Sequence, residues 1–203
     1  MKSSLLMTTL VMMSSHAASA EPETEYGIGV SVGGGIAGFT DKAMREVVTS
    51  DVAPLWDVRA LFGTHTPVGV EVGYTGSAGT TRTFEGDENG TLVASTFEAT
   101  AHWNILPHAA WNPYVFAGVG WERYDVRGMT MPTLATGLAK SDNVLDVPMG
   151  IGVTFHDPQS HFLFDVRGTF RAAAANANLM TEENGAAAGM HAWEASAALG
   201  WVL

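Results

Sequence analysis

Three residues near the end of the chain have the types that nucleophilic catalysis requires. His191, Glu194 and Ser196 could supply a base, an orienting carboxylate and a nucleophile if the fold brought them within hydrogen-bond reach. On an extended strand, however, His191 has the opposite parity to Glu194, and no serine-hydrolase motif surrounds Ser196. The sequence therefore predicts no catalytic residue and no enzyme activity.

A second set of residues is charged and follows a regular alternation. Within its segment, each member shares parity with glycine, alanine, serine or threonine, which predicts one narrow polar face. The members are Asp57, Arg59, Glu71, Glu98, Asp146, Asp165, Arg167, Arg171 and Glu194. A charge in a narrow interior is costly unless it is paired, so we expect Arg59 near Glu71, and Arg171 between Asp146 and Glu194. Such a network would fill the interior or, as an alternative, line a gated path for ions.

The histidines are scattered rather than clustered. His102 lies on the polar face of its segment, whereas His65, His108, His156 and His161 lie in or beside short turns. Histidines at turns are more often solvated than bound to metal, and no His-x-x-His or Glu-paired spacing is present. The sequence therefore predicts no metal site and no cofactor.

Eight segments position these side chains, and in each of them apolar residues alternate with small or polar ones. The segments are 26–38, 55–63, 68–75, 92–104, 113–124, 143–155, 162–171 and 193–203. Helical spacing is not sustained anywhere, so the pattern predicts an all-β fold, an eight-stranded antiparallel up-and-down barrel. The links after the first, third, fifth and seventh segments are long, roughly 14 to 18 residues, as in transmembrane barrels with long outer loops.

Two segments carry irregular features. Aromatic residues occupy both faces of segment 113–124, which leaves its register open. Pro148 lies inside segment 143–155, where it cannot donate a ladder hydrogen bond, so we expect a local bulge there.

The beginning of the chain has the features of a secretory signal. Lys2 precedes an apolar run over residues 5–13, and small residues follow at Ala18 and Ala20. We expect cleavage after Ala20, which would leave residues 21–203 as one barrel domain. The chain has no cysteine, so no disulfide is expected, and its net charge of −11 disfavours nucleic acid as a partner.

The size of the two faces separates a membrane barrel from a soluble one. A soluble barrel carries frequent charges on its outward face, but here the charged face is too small and the other face is continuously apolar. Trp193 and Trp201 are separated by roughly 20 Å along a membrane normal, close to the height of one apolar band. The aromatics predicted at the membrane interfaces are Trp56, Tyr74, Trp103, Trp121, Trp193 and Trp201. A periplasmic barrel that binds a lipid-like ligand is an alternative, but it needs an apolar interior.

Three stretches resemble the OmpA-like outer-membrane β-barrel family. They are residues 113–120, 148–153 and 165–171, and the similarity extends over residues 21–203. The resemblance implies a Gram-negative outer-membrane barrel in contact with outer-membrane lipid and lipopolysaccharide. The segment ending in Leu199, Gly200, Trp201 and Leu203 resembles the strand by which the barrel-assembly machinery recognises its clients, although Leu203 replaces the usual terminal phenylalanine.

The resemblance also bears on function. Larger relatives append a peptidoglycan-binding domain after the barrel, and no such domain is expected here. We therefore predict a structural outer-membrane barrel with a plugged lumen and loops exposed outside. A narrow pore for ions or small solutes is the alternative from another class.

Overall fold

The computed structural model describes residues 27–41, 44–45, 52–82, 89–128, 141–157, 159–173 and 190–203. Its strands are β1 (Ile28–Phe39), β2 (Ala53–Phe62), β3 (Val68–Arg82), β4 (Asn89–Asn104), β5 (Trp111–Arg127), β6 (Ser141–His156), β7 (Phe162–Ala173) and β8 (Ala192–Val202). Each strand pairs antiparallel with the next, and β8 pairs with β1 to close the barrel. The predicted fold class is confirmed. The predicted leader of residues 1–20 lies outside the described residues.

The alternation within each strand sets which side chains face the lumen. On β2, Asp57 and Arg59 are buried, while Trp56 and Val58 point outward. On β5 the open register is resolved, because Tyr114, Phe116, Glu122 and Tyr124 are buried inside the barrel. The outward face carries large exposed apolar residues around the whole ring, among them Val32, Val58, Val68, Phe97, Val119, Ile151, Val166 and Leu199.

The connections give the barrel two different ends. Residues 63–67, 105–110 and 157–161 form short connections at one end, which we call the short-turn end. At the opposite end, the predicted long link after the third segment is wrong. Strands β3 and β4 stay paired as far as Arg82 and Asn89, so only residues 83–88 separate them. The sequence pattern ended early there because residues 76–82 are small or polar and show no apolar alternation.

Pro148 introduces no bulge, so the predicted bulge is wrong. Ala117 pairs with Met149 and Gly120 with Asp146, which leaves no extra residue in either strand. On its other side, Pro148 pairs with Arg171 in unbroken register. The β5–β6 pairing is therefore interrupted at two residue pairs, Gly118 with Pro148 and Val119 with Val147, without a change in which residues of β6 face the lumen.

The turn between β6 and β7 is fixed by the side chain of Asp157. The Ser160 hydroxyl donates a hydrogen bond to this carboxylate, and the Gln159 amide donates a second of 3.1 Å. Both bonds favour the ionised form and hold the pKa of Asp157 below its usual value. His161 completes the turn with a φ of 58°.

Among the described residues, no helix is long and apolar enough to cross a membrane.

Two glycines on neighbouring strands provide a test of sidedness. A Cβ at Gly150 would collide with the backbone oxygen of Gly168 and lie 2.7 Å and 2.8 Å from ring carbons of the buried Phe116. A Cβ at Gly168 would meet nothing within 4 Å. We expect Gly150→Ala to lower the free energy of unfolding by about 1–3 kcal/mol, because both the β7 backbone and the Phe116 ring must shift to admit a methyl group. Gly168→Ala is the matched control and should be nearly neutral. Urea unfolding of the refolded variants measures both, and equal losses would contradict the inward position of Gly150.

Candidate functional site

The charged residues singled out in the sequence line the interior of the barrel. All nine lie on lumen-facing positions of β2, β3, β4, β6, β7 and β8. Eight of them are buried, none with more than 6% of its surface exposed, and Glu194 is intermediate. Their charges are therefore withdrawn from water, which requires that they be paired.

Arg59 is the centre of a first cluster towards the short-turn end. Its guanidinium contacts Asp57 at 2.8 Å and Asp165 at 2.7 Å, and it donates a 2.8 Å hydrogen bond to the Ser196 hydroxyl. Asp165 also accepts a 2.7 Å hydrogen bond from the Tyr114 hydroxyl. Asp57 lies on β2 and Asp165 on β7, so this cluster joins strands that are not neighbours in the sheet.

Arg167 is the centre of a second cluster in the middle of the lumen. It contacts Glu71 of β3 at 2.6 Å and Glu98 of β4 at 3.1 Å. Its guanidinium carbon also lies 5.1 Å from the centroid of the Phe116 ring, within the range of a cation–π contact. His102 extends this cluster, with its Nε2 atom 3.7 Å from the Glu71 carboxylate.

Arg171 is the centre of a third cluster, which three carboxylates surround. It contacts Glu98 at 2.7 Å, Asp146 at 3.0 Å and Glu194 at 2.7 Å. A second hydrogen bond of 3.1 Å makes the contact with Glu194 bidentate, the geometry that a planar guanidinium favours. Glu98 thus receives both Arg167 and Arg171 and links the second cluster to the third.

The structure differs from the sequence prediction in one pairing. Arg171 does lie between Asp146 and Glu194, but the expected proximity of Arg59 and Glu71 gives no ion pair. Arg59 instead reaches across the lumen to Asp165, and Glu71 pairs with Arg167. The prediction considered only the β2–β3 hairpin, whereas a long arginine side chain in a narrow barrel can reach strands that are not its neighbours in the sheet.

Several lumen residues were absent from the predicted set. Glu122 is buried with 6% of its surface exposed, and no arginine or lysine of the described residues lies within 4 Å of it. Glu122 follows the outward-facing Trp121, so the alternation of the strand could have identified it as a lumen residue. Three neutral side chains complete the network. The hydroxyls of Tyr114 and Thr154 both donate to Asp165, and the Ser196 hydroxyl accepts from Arg59. In the described lumen, three arginines thus face seven carboxylates.

The three residues considered for catalysis make their hydrogen bonds elsewhere. Glu194 is held by Arg171, and the Ser196 hydroxyl accepts a hydrogen bond from Arg59. The His191 Nδ1 atom accepts a 3.1 Å hydrogen bond from the amide of Ala173, and its ring stacks on Phe170. The geometry provides no nucleophile–base pair among them.

The aromatic residues predicted at the interfaces fall into two belts on the outward face. At the short-turn end, Trp103 and Trp201 are exposed, together with Trp111, which the prediction missed and which packs on Phe155. Towards the other end, the Tyr74, Phe97 and Trp121 rings form a continuous row, with centroids 5.0 Å and 6.3 Å apart. Trp56 on β2 and Trp193 on β8 also point outward at this end of the barrel, with Trp56 on the strand next to Tyr74 and Trp193 between β7 and β1.

Solved barrels share this architecture. Neisserial surface protein A (NspA) superposes with a TM-score of 0.57 at 12% sequence identity, covering 88% of this chain and 97% of that one. The attachment invasion locus protein Ail of Yersinia pestis superposes with a TM-score of 0.51 at 12% sequence identity. The alignment covers 88% of this chain and 100% of the Ail chain. At such low identity these likenesses establish the fold alone. No curated protein matches the chain.

A family comparison is more specific than the structural likenesses. The family described as "Outer membrane protein beta-barrel domain" matches residues 4–200, nearly the whole sequence. The closed ring of eight strands, the apolar outward face and the two aromatic belts agree with that match. The chain belongs to the outer membrane protein beta-barrel domain family.

Proposed function

We propose that this protein is a structural barrel of the Gram-negative outer membrane, that its lumen is closed by the ionic network, and that its long links are displayed outside. It turns over no substrate. The observation that carries the proposal is the set of ion pairs that cross the lumen between non-neighbouring strands. Arg59 and Asp165 join β2 to β7, and Arg167 and Glu71 join β7 to β3.

The location in a membrane is supported by the outward face. Large apolar side chains are exposed on every strand, including Val119 with 67% and Ile151 with 68% of their surface free. In water such a face would drive aggregation, whereas in hydrocarbon it is the favoured surface. Hydrocarbon also demands that every backbone polar group be paired within the protein, and a closed ring of strands meets that demand. A lipid-carrying periplasmic barrel fits poorly, because the described lumen is filled by charged groups.

The same reasoning extends to the partners of the barrel. The outward apolar face would contact membrane lipid, and lipopolysaccharide in the outer leaflet. Strand β8 ends at Val202 with Trp201 pointing outward, which suits presentation to the barrel-assembly machinery. Export would follow from a leader over residues 1–20. Cell fractionation combined with heat-modifiable gel migration tests this location, and recovery of the folded protein in the soluble periplasmic fraction would contradict it.

The closed lumen predicts that the purified protein does not conduct. In planar lipid bilayers, the refolded wild-type barrel should show no large, stable channel current, because paired side chains fill the path along the axis. The double variant Arg167→Ala with Glu71→Ala removes one cross-lumen pair and its bulk, so we expect it to conduct measurably. The Arg123→Ala variant alters an exposed pair on the outward face and is the matched control. A stable current through the wild-type protein would favour the pore instead.

A further inference from the structure

Two histidines meet at the short-turn end of the barrel. His65 lies in the connection between β2 and β3, and His156 is the last residue of β6. Their ring centroids are 5.1 Å apart, with the ring planes inclined by 55°. In an eight-stranded ring, β2 and β6 stand on opposite walls, so the two imidazoles come together across the mouth of the lumen.

The environment of His65 differs from that of a solvated turn histidine. Both ring nitrogens are shielded from solvent, and no group of the described residues is within hydrogen-bond distance of either. A neutral imidazole carries one N–H donor and one lone pair, and the lone pair can accept a hydrogen bond or bind a metal. Leaving both nitrogens unsatisfied away from water is costly. The expectation that the turn histidines are solvated is therefore wrong for His65.

The backbone that carries His65 is held in place by neighbouring side chains. The Asn104 amide group donates to the Thr66 carbonyl at 2.8 Å and to the Gly63 carbonyl at 3.3 Å. Asn112 in turn donates a 3.0 Å hydrogen bond to Asn104. The small cavity between these groups is lined by both histidines as well as by the two asparagines. The two imidazoles are thus presented by a fixed scaffold rather than by a free loop.

Glycine is required at one position for this arrangement. A Cβ at Gly27 would lie 2.8 Å from the His65 Nδ1 atom, and it would also meet the Thr64 hydroxyl. Any larger residue at Gly27 would push the His65 ring away from its present place. The His65 ring can therefore lie this close to the backbone of residue 27 only because glycine has no side chain.

We propose that His65 and His156 together bind one divalent transition-metal ion of the class that prefers imidazole, such as zinc, copper(II) or nickel. Two imidazoles on one tetrahedral ion, at metal–nitrogen distances of about 2.0–2.1 Å, have ring centroids roughly 5 Å apart. The observed separation of 5.1 Å matches that geometry. Among the residues that the structure describes, no group of three or more His, Cys, Asp or Glu side chains gathers, so water completes the coordination. The ion would link the β2–β3 connection to the end of β6 across the mouth of the lumen. Neither the family nor the ionic network implies such a link.

The proposal is tested by titrating zinc into the refolded barrel, prepared in detergent without a polyhistidine tag. Isothermal titration calorimetry should find one ion per barrel for the wild-type protein. His65→Ala and His156→Ala should each weaken binding by about tenfold or more, since losing even a supporting partner of a metal site costs that much. His108→Ala, in the exposed connection between β4 and β5, is the matched control and should bind as the wild type does. Zinc should also raise the urea midpoint of the wild-type and His108→Ala proteins only.

A second measurement distinguishes a specific site from loose association. Copper(II) bound to the wild-type barrel should show nitrogen coupling from two imidazoles in its electron paramagnetic resonance spectrum. Heat-modifiable migration confirms that each variant is folded, and His65→Gln and His156→Gln replace any alanine variant that is not. Equal zinc affinity in the wild-type and histidine variants would overturn the proposal. So would a wild-type barrel that binds no zinc, in which case water alone joins the rings.

Discussion

Arg171→Met should lower the free energy of unfolding by about 3–5 kcal/mol, the usual cost of removing one partner from a buried ion pair. Methionine has a similar length and fills much of the same space, so loss of packing is small. The effect comes from Glu98, Asp146 and Glu194, which lose the guanidinium they now surround at 2.7–3.0 Å. Urea unfolding in lipid vesicles, followed through the fluorescence of the 6 tryptophans, measures the change.

Two further variants separate charge from packing at this cluster. Arg123→Met removes an exposed arginine that pairs with Asp125 on the outward face, and it should leave the urea midpoint unchanged because water screens that pair. Adding Asp146→Asn and Glu194→Gln to Arg171→Met removes the two carboxylates left without a cation and should restore most of the lost stability, since Glu98 keeps its contact with Arg167. If Arg171→Met and Arg123→Met unfold at the same urea concentration, the network does not stabilise the barrel.

Ile151→Arg should destabilise the barrel in lipid by about 2–4 kcal/mol, the range for a cationic side chain near the middle of a bilayer. Ile151 points outward with 68% of its surface exposed, and it lies on β6 between the two aromatic belts. In a soluble barrel the same substitution would be harmless or would even improve solubility, because an exposed arginine is well hydrated. The measurement is therefore a test of whether hydrocarbon surrounds this face.

The matched control lies on the same strand and the same face. Ser141 is the first residue of β6, beyond the row of aromatic rings, and it is exposed. We expect Ser141→Arg to cost at most about 1 kcal/mol, as charges near the interface do. Comparable losses for Ser141→Arg and Ile151→Arg would mean that depth does not matter, which would contradict a membrane around the barrel.

The strands and their sidedness were predictable because a strand presents alternate residues to opposite faces. On β7, the apolar residues Phe164 and Val166 alternate with the charged residues Asp165 and Arg167. Only a period of two residues puts the apolar side chains on one face and the charged ones on the other. Parity also placed the charged side chains in one interior. An even number of alternating segments then required no further information to predict a closed ring.

The partners of the charged side chains were not predictable from parity. Parity places Arg59 on the inner face but gives neither its depth in the barrel nor the strand that it reaches, so its contact with Asp165 depends on register and barrel diameter together. The contact between His65 and His156 also depends on register and barrel diameter, because the two rings are 5.1 Å apart in space but far apart in the sequence. Pro148 shows that a local rule can also fail. Its missing N–H group led us to predict a bulge, but the pairing on either side keeps β6 in register.

The distribution of the arginines along the chain bears on how the barrel forms. Among the lumen side chains that the structure describes, strands β1 to β6 contribute one arginine, Arg59, against five carboxylates, those of Asp57, Glu71, Glu98, Glu122 and Asp146. The other two cations, Arg167 and Arg171, are both on β7. An incomplete sheet that lacks β7 and β8 therefore holds an excess of negative charge that it cannot neutralise from within. We expect folding to be cooperative, with the seventh strand completing the charge balance as the ring closes.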